Sequence, residues 1–343
     1  MNRILLITPF HKKARGNTHT SQRLFHGLGQ RGLPIDLFSL ESNNWQQELQ
    51  KLLNLNYYSL IHGLNITYFT KVLQLFPQLT KLPLVVTMTG TDVNYDMLNN
   101  FSTEILQTLN SVQYIVILED YYRTTFQTLS PQLTNKLVTI PQGVFLEKND
   151  GPTRSQLGLN QDHFVFLLPS GLRPVKNITL AIHALKILAP VFSQLRLLIM
   201  GTIIDQEYYK TIMEQINMLS WALYLGEFPH NQMYSLLQLG DVVINTSWSE
   251  GQPQAALEAM SLGKPCLLTA VPGNLNIITN GQEGFYVNNK KDLAIAAYKL
   301  ITDYDLRQKM GANARCLVKK KFLLQSELDA YELLYKKVLE DAN

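Results

Sequence analysis

The sequence predicts an α/β protein made of two doubly wound parallel sheets. Short apolar runs of four to six residues alternate with longer stretches of helical period, the pattern of strands joined by crossover helices. Near the middle of the chain this alternation stops and starts again. The length agrees: 343 residues exceed the roughly 100–200 of a single domain. Hydrophobic residues make up 46% and charged residues 17%, which is enough apolar material for two wrapped sheets and excludes a disordered chain.

In the first half, Ile4–Thr8, Leu60–His62, Leu84–Met88, Tyr114–Leu118 and Leu137–Ile140 read as buried strands. Gln22–Arg31, Phe69–Phe76, Met97–Leu109 and Asp120–Leu129 carry the helical period between them. The first strand opens the chain with a short apolar run that Pro9 breaks, shorter than the core of a signal peptide. The second set of strands is Phe164–Leu168, Leu195–Met200, Tyr224–Leu225, Val242–Asn245, Cys266–Thr269 and Gly284–Val287. Its helices are Thr179–Leu188, Glu207–Leu219, Asn231–Leu239, Pro253–Leu262 and Lys291–Ile301. Between the halves, Gln142–Gln161 is rich in Gly, Pro and polar residues. The expected organisation is a first domain over 1–146, a linker over 147–161, a second domain over 162–322, and a helix over 323–343 packing back toward the first. Ligands of such sheets sit at the carboxyl ends of strands, so the chemistry is expected in strand-to-helix loops facing a cleft.

Several classes of function lose support. The net charge is +3, too weak to argue for nucleic acid as partner. No stretch approaches the roughly 20 apolar residues that span a bilayer, so membrane association, if any, is peripheral. Cys266 and Cys316 form neither a disulfide framework nor a metal clamp, and point to a reducing cytoplasm. Neither GxGxxG after a strand nor GxxxxGK[ST] occurs, which argues against a dinucleotide or P-loop enzyme, and HExxH and GxSxG are absent. No metal and no cofactor is expected.

The richest segment is Asn245-Thr-Ser-Trp-Ser-Glu250-Gly-Gln-Pro-Gln-Ala-Ala-Leu-Glu258-Ala-Met-Ser-Leu-Gly263-Lys-Pro265. A strand ends in a polar loop; Pro253 suits a helix start, and Gly263 the position just past its end. Glu258 lies on a helix of small and apolar residues, where a carboxylate is costly unless it finds donors. Glu250 lies at the mouth of that helix, whose N-terminal N–H groups and dipole favour an anion. A ligand with a phosphate at the helix start and hydroxyls near both carboxylates satisfies this arrangement, and a sugar nucleotide has that shape. The competing reading has Glu250 capping the helix and Glu258 paired with a core Lys or Arg. A second segment, Ser170-Gly171-Leu-Arg173-Pro-Val-Lys176, follows a strand with two cations that suit a diphosphate. A third, Thr8 to Thr18, contains Gly16 and Asn17 between the first strand and first helix; an ordinary connection is the competing reading. A fourth, Thr89-Gly90-Thr91-Asp92, ends in a carboxylate that either caps a helix or faces the cleft.

On these residues the chain resembles a GT-B glycosyltransferase of the retaining family 4. The likeness rests on the Glu250-x7-Glu258 spacing, Ala259-Met260, Gly263-Lys264-Pro265 and the Ser170-Gly171…Arg173…Lys176 block. Ile140-Pro-Gln-Gly143 and Gly226-Glu227 followed by Asp241 extend it. Gly90-Thr91-Asp92, Leu172-Arg173-x-Val175-Lys176 and Pro272-Gly273-Asn274 resemble a subgroup of glycosyltransferase 1 domain-containing proteins and selenosugar synthases. The resemblance implies transfer of a hexose or N-acetylhexosamine from a nucleoside diphosphate sugar, with UDP as carrier, with retention and without a metal. The acceptor is a small molecule, a glycan, or a selenium or sulfur nucleophile; a silent nucleotide-sugar-binding protein is the alternative. It implies that Arg173 and Lys176 hold the diphosphate and Glu250 the donor-sugar hydroxyls, these three carrying catalysis. Glu258 would take the ribose diol, Gly226 and Glu227 would lie by the base, and the backbone of Gly251, Gln252, Pro253, Gln254 and Ala255 would meet sugar and phosphate oxygens. Gly171, Gly16, Asn17 and Asp92 complete the substrate-binding set. The family often has a histidine where this chain has Thr89, so no histidine role transfers there. His62 follows a first-domain strand, where a lone histidine is more often structural.

Overall fold

A computed structural model describes residues 3–11, 16–90, 92–96 and 102–342. The chain divides into two compact units, one formed by residues 1–143 with 324–343 and the other by 144–323.

The first unit alternates β1 (Ile4–Thr8), α1 (Gly16–Gln30), β2 (Ile35–Ser39), α2 (Trp45–Leu55), β3 (Leu60–Leu64), α3 (Ile66–Leu75) and β4 (Leu84–Thr87). It continues through α4 (Thr103–Ser111), β5 (Tyr114–Ile117), α5 (Tyr122–Leu129) and β6 (Leu137–Thr139). The six strands form one sheet in the order β2-β1-β3-β4-β5-β6, every pairing parallel. All residues of β1, β3 and β4 are buried, as strands covered on both faces require. One face packs under Phe69, Val72, Leu109 and Phe126, the other under Leu24, Leu28 and a late helix of the chain.

The second unit runs β7 (Phe164–Pro169), α6 (Ile178–Leu188), β8 (Leu195–Met200), α7 (Gln206–Ile216), β9 (Ala222–Tyr224), α8 (Met233–Gln238) and β10 (Val242–Asn245). Then come α9 (Gln254–Ser261), β11 (Cys266–Thr269), β12 (Gly284–Val287), α10 (Lys290–Thr302) and α11 (Tyr304–Lys321). Its parallel sheet has the order β12-β11-β10-β7-β8-β9. The chain steps outward from β7 through β9, then returns to the far side of β7 as β10. That reversal makes β7/β10 the topological switch point, the place where the loops after two adjacent strands diverge and leave room for a ligand. Val242 pairs with Phe166 and Val243 with Leu167 at this junction.

The last helix, α12 (Leu324–Asp341), belongs to the first unit and buries Leu328, Tyr331, Leu334, Tyr335 and Val338 at helical spacing. Glu327 on the same face is held by Arg23 through two bonds of 2.7 and 2.9 Å and accepts the Gly143 N–H at 2.9 Å. A Cβ at Gly27 would stand 2.7 Å from Leu328, so the leucine packs directly on the glycine where α12 crosses α1. Residues 147–161, read from composition as a connecting segment, lie within the second unit. Arg154 donates to the carbonyls of Leu239 at 2.7 Å and His163 at 2.6 Å, and Leu159 is buried in the core. Three further elements, β2, α2 and α11, went unread in the sequence. The expected helix Met97–Leu109 is helical from Thr103; residues 97–101 lie outside the described residues.

Candidate functional site

The loops at the β7/β10 junction carry most of the residues singled out from the sequence. After β7 the chain passes Ser170 and Gly171, and Leu172 turns into the core, its N–H bonded to Thr202 O at 2.9 Å. The neighbouring loop presses closely: Gly201 has φ +150°, and a Cβ there would lie 2.3 Å from Ser170 O. Arg173 is extended, Pro174–Lys176 make one 3-10 turn, and Asn177 takes a left-handed φ of 45° before α6. This short turn places the side chains of Arg173 and Lys176 at the strand's carboxyl end, both partly exposed.

The loop after β10 is stitched to that turn. Thr246 Oγ1 donates to Lys176 O at 3.1 Å, and the Trp248 N–H donates to Val175 O at 2.8 Å. Glu250 then turns inward, its side chain only 9% exposed. Its Oε1 receives Lys176 Nζ at 2.7 Å, Asn245 Nδ2 at 2.8 Å and Ser247 Oγ at 2.6 Å. Burial alone would raise this carboxyl, but the Lys176 charge and these three hydrogen bonds outweigh it and hold it below the usual carboxylate range. The Pro272-Gly273-Asn274 turn backs Glu250. Gly273 has φ +85°, and a Cβ would fall 2.0 Å from Glu250 O, so only glycine fits. Asn274 is fully buried and donates to Thr269 O at 3.0 Å. Glu250 is a buried carboxylate in an ion pair with Lys176.

Helix α9 begins at Gln254, directly after Gly251, Gln252 and Pro253, which are buried. It ends in a Schellman motif: Gly263 (φ +80°) donates to Met260 O at 2.9 Å and Lys264 to Ala259 O at 3.1 Å. Ala256, Leu257, Ala259 and Met260 face the core. Glu258 is buried beside them, and its donor is neither Lys nor Arg: His230 Nε2 lies 3.0 Å from Glu258 Oε1. His230 follows the loop containing Gly226 and Glu227. Gly226 (φ +86°) accepts the Gly201 N–H at 2.9 Å and has open space where a Cβ would stand; Glu227 is exposed.

Gly171, Arg173, Lys176, Gly226, Glu227, Glu250, Gly251 to Ala255 and Glu258 thus all belong to loops and one helix of the second unit. Gly16 and Asn17 open α1 in the first unit, Gly16 exposed with open space at its Cβ position. Lys12–Arg15 of that turn, and Thr91, lie outside the described residues. Asp92 requires a correction. Expected among the substrate-binding residues, it is completely buried and accepts from the backbone N–H groups of Ile66, Thr89, Gly90 and Val93 at 2.7–3.1 Å. Its carboxylate ties the end of β4 to the start of α3 and offers no atom outward. Burial, partly opposed by those bonds, pushes its carboxyl up to about 6. His62 is structural: fully buried, it bonds Tyr335 through Nδ1 at 2.6 Å and Thr87 through Nε2 at 2.8 Å, and burial pushes it down to about 3. Sequence reasoning missed His230, Asn245 and Ser247. The last two sit beside Glu250 in the sequence and could have been read as its donors; nothing local points from His230 to Glu258.

Among the described residues no group of three or more His, Cys, Asp or Glu side chains is placed to hold a metal ion. No helix among them is long and apolar enough to cross a membrane.

Two Rossmann-like units, each with its own parallel sheet, define the GT-B class of glycosyltransferase fold. Anabaena HepE, solved in complex with UDP and glucose, superposes with a TM-score of 0.80 at 18% identity over 98% of this chain and 100% of that one. Residues 150–316, within the second unit, match the family model described as glycosyl transferases group 1. Glycosyltransferase 1 domain-containing protein 1 of Xenopus tropicalis is 23% identical over 273 residues, 74% of this chain and 76% of the relative. N-acetyl-alpha-D-glucosaminyl L-malate synthase of Bacillus anthracis is 26% identical over 264 residues, 75% of this chain and 66% of the relative.

Proposed function

We propose that this protein is a retaining glycosyltransferase that moves a hexose or N-acetylhexosamine from a UDP-sugar to a small-molecule or glycan acceptor, without a metal or cofactor. The observation that carries the reading is the gathering of Arg173, Lys176, Glu250 and the N-terminus of α9 at the switch point of a group 1 domain. The UDP and glucose of the Anabaena protein, and the N-acetylglucosaminyl group in the name of the Bacillus anthracis relative, support the choice of donor.

In this reading the diphosphate lies at the start of α9, where the helix dipole favours an anion, and is held by Arg173 and Lys176. Lys176 has three N–H donors; one serves Glu250 and the others are available to phosphate oxygens. Glu250, ionised and fixed by three donors, accepts from donor-sugar hydroxyls. Glu258 takes the ribose diol, and Gly226 and Glu227 lie beside the base. As the anomeric bond breaks, positive charge grows on the sugar and negative charge on the leaving diphosphate. Cations and N–H groups already in place stabilise that charge with little reorganisation. The departing phosphate oxygen takes the acceptor's proton on the same face, which gives retention. Two cysteines that form no disulfide, Cys266 buried and Cys316 exposed, fit a cytoplasmic setting.

The test is turnover of UDP-glucose and UDP-N-acetylglucosamine by the purified chain, with the product's anomeric configuration read by NMR. Arg173→Ala lowers the rate by about 10² or more, the usual worth of one charge-stabilising group, and Glu258→Ala weakens UDP-sugar binding by about tenfold, the worth of one hydrogen bond to a charged group. A near wild-type rate in folded Arg173→Ala, or an inverted product, would sink the proposal.

A further inference from the structure

Glu258 is a buried carboxylate whose donor is a partly exposed imidazole from a different loop. The His230 side chain is 35% exposed and that of Glu258 6%. His230 opens the short 3-10 turn His230–Gln232 that follows the Gly226–Pro229 loop, while Glu258 sits in the middle of α9. The Nε2–Oε1 contact at 3.0 Å therefore ties the loop after β9 to the helix after β10.

The kind of donor matters. A guanidinium in this place could occupy both carboxylate oxygens through its fork, and an ammonium could bridge them. An imidazole gives one N–H to one oxygen and leaves the second to another donor. The arrangement fixes the carboxylate's orientation without using up its capacity to accept. From this geometry we infer that His230 is the positioning residue for Glu258: it holds Oε1 so that Oε2 meets a vicinal diol, and sets the preference for a ribonucleotide over its 2′-deoxy counterpart. The inference rests on the proposed role of Glu258 toward the ribose.

Calorimetric titration of the full chain with UDP and with 2′-deoxy-UDP tests it. Wild type binds UDP at least about tenfold more tightly than 2′-deoxy-UDP, the worth of one hydrogen bond to a charged group. His230→Ala weakens UDP about tenfold and leaves 2′-deoxy-UDP within about twofold, while His230→Gln, which keeps an N–H donor, retains the wild-type preference. Equal weakening of both nucleotides by His230→Ala marks a purely structural role and overturns the inference. So does an unchanged preference in His230→Ala when Glu258→Gln abolishes it. If Glu258→Gln keeps the preference, or wild type binds neither nucleotide, the reading of Glu258 fails and the inference falls with it.

Discussion

Replacing Lys176 by Met removes the cation from a nearly enclosed ion pair while keeping most of the side-chain stem. Lys176 Nζ stands 2.7 Å from Glu250 Oε1, with the two side chains 16% and 9% exposed. At an effective dielectric constant near 20, unit charges at that separation attract by about 6 kcal/mol. The lysine's recovered hydration and the remaining solvent access offset roughly half, leaving a net loss of about 3 kcal/mol, at the low end for breaking a buried pair. For a unit of this size that lowers the melting temperature by about 6–10 °C in scanning calorimetry. The loss also depends on pH. With the cation gone, only the Asn245 and Ser247 hydrogen bonds oppose burial and the Glu250 carboxyl rises, so the variant loses more at pH 8 than at pH 5. Adding Glu250→Gln restores at least half of the lost stability, because the stranded charge is gone. A Lys176→Met protein within about 0.5 kcal/mol of wild type at pH 8, or a double variant as unstable as the two singles summed, refutes the ion-pair account.

Gly273→Ala puts a Cβ 2.0 Å from Glu250 O at a residue of φ +85°. The loop behind Glu250 has to move, and the expected result is a melting temperature lower by several degrees and at least about tenfold weaker UDP binding by calorimetry. The two buried titratable groups of the first unit act oppositely on acid stability. His62, pushed down to about 3, stays neutral in the fold, so its contribution is complete above about 6.5 and is lost as pH falls from there toward 3. Asp92, pushed up to about 6, favours the neutral acid, so stability is gained as pH falls from 6 toward its ordinary 3.8, by about 3 kcal/mol in all. Between pH 6 and 4 the two nearly cancel; urea unfolding across that range shows His62→Gln gaining stability toward acid and Asp92→Asn losing it. Variants with the same pH slope as wild type would contradict both assignments.

Much of the fold was legible because parallel strands covered on both faces are near-continuous apolar runs, as Leu84–Thr87 and Phe164–Pro169 show. What escaped lacks that signature. β2 is an edge strand with only Ile35 buried, so no run marks it. α11 is a polar helix that buries only Met310, Gly311, Ala314 and Val318, although Asp303 caps it through Leu306 N at 2.8 Å. The site divides in the same way. Arg173, Lys176 and Glu250 could be found because each follows a strand and precedes a helix, positions where the topology itself points at a ligand. The contact of Lys176 with Glu250, across 74 residues of sequence, could not. His230 was one of seven histidines without paired spacing, and its partner lies 28 residues away in the helix after the next strand. Asp92 shows the reverse failure. A carboxylate after a strand looks the same in sequence whether it faces a ligand or is consumed by backbone N–H groups, and only its burial decides.

The account turns on a nucleotide site at the β7/β10 junction of the second unit. Titrating UDP into the full chain by calorimetry, beside Arg173→Ala, tests that claim most directly. The account predicts one-to-one saturable binding by wild type and a loss of about 10² in affinity in the variant, both proteins remaining folded by circular dichroism. A folded wild type giving no binding heat at millimolar UDP, or an Arg173→Ala protein binding as tightly as wild type, would contradict it.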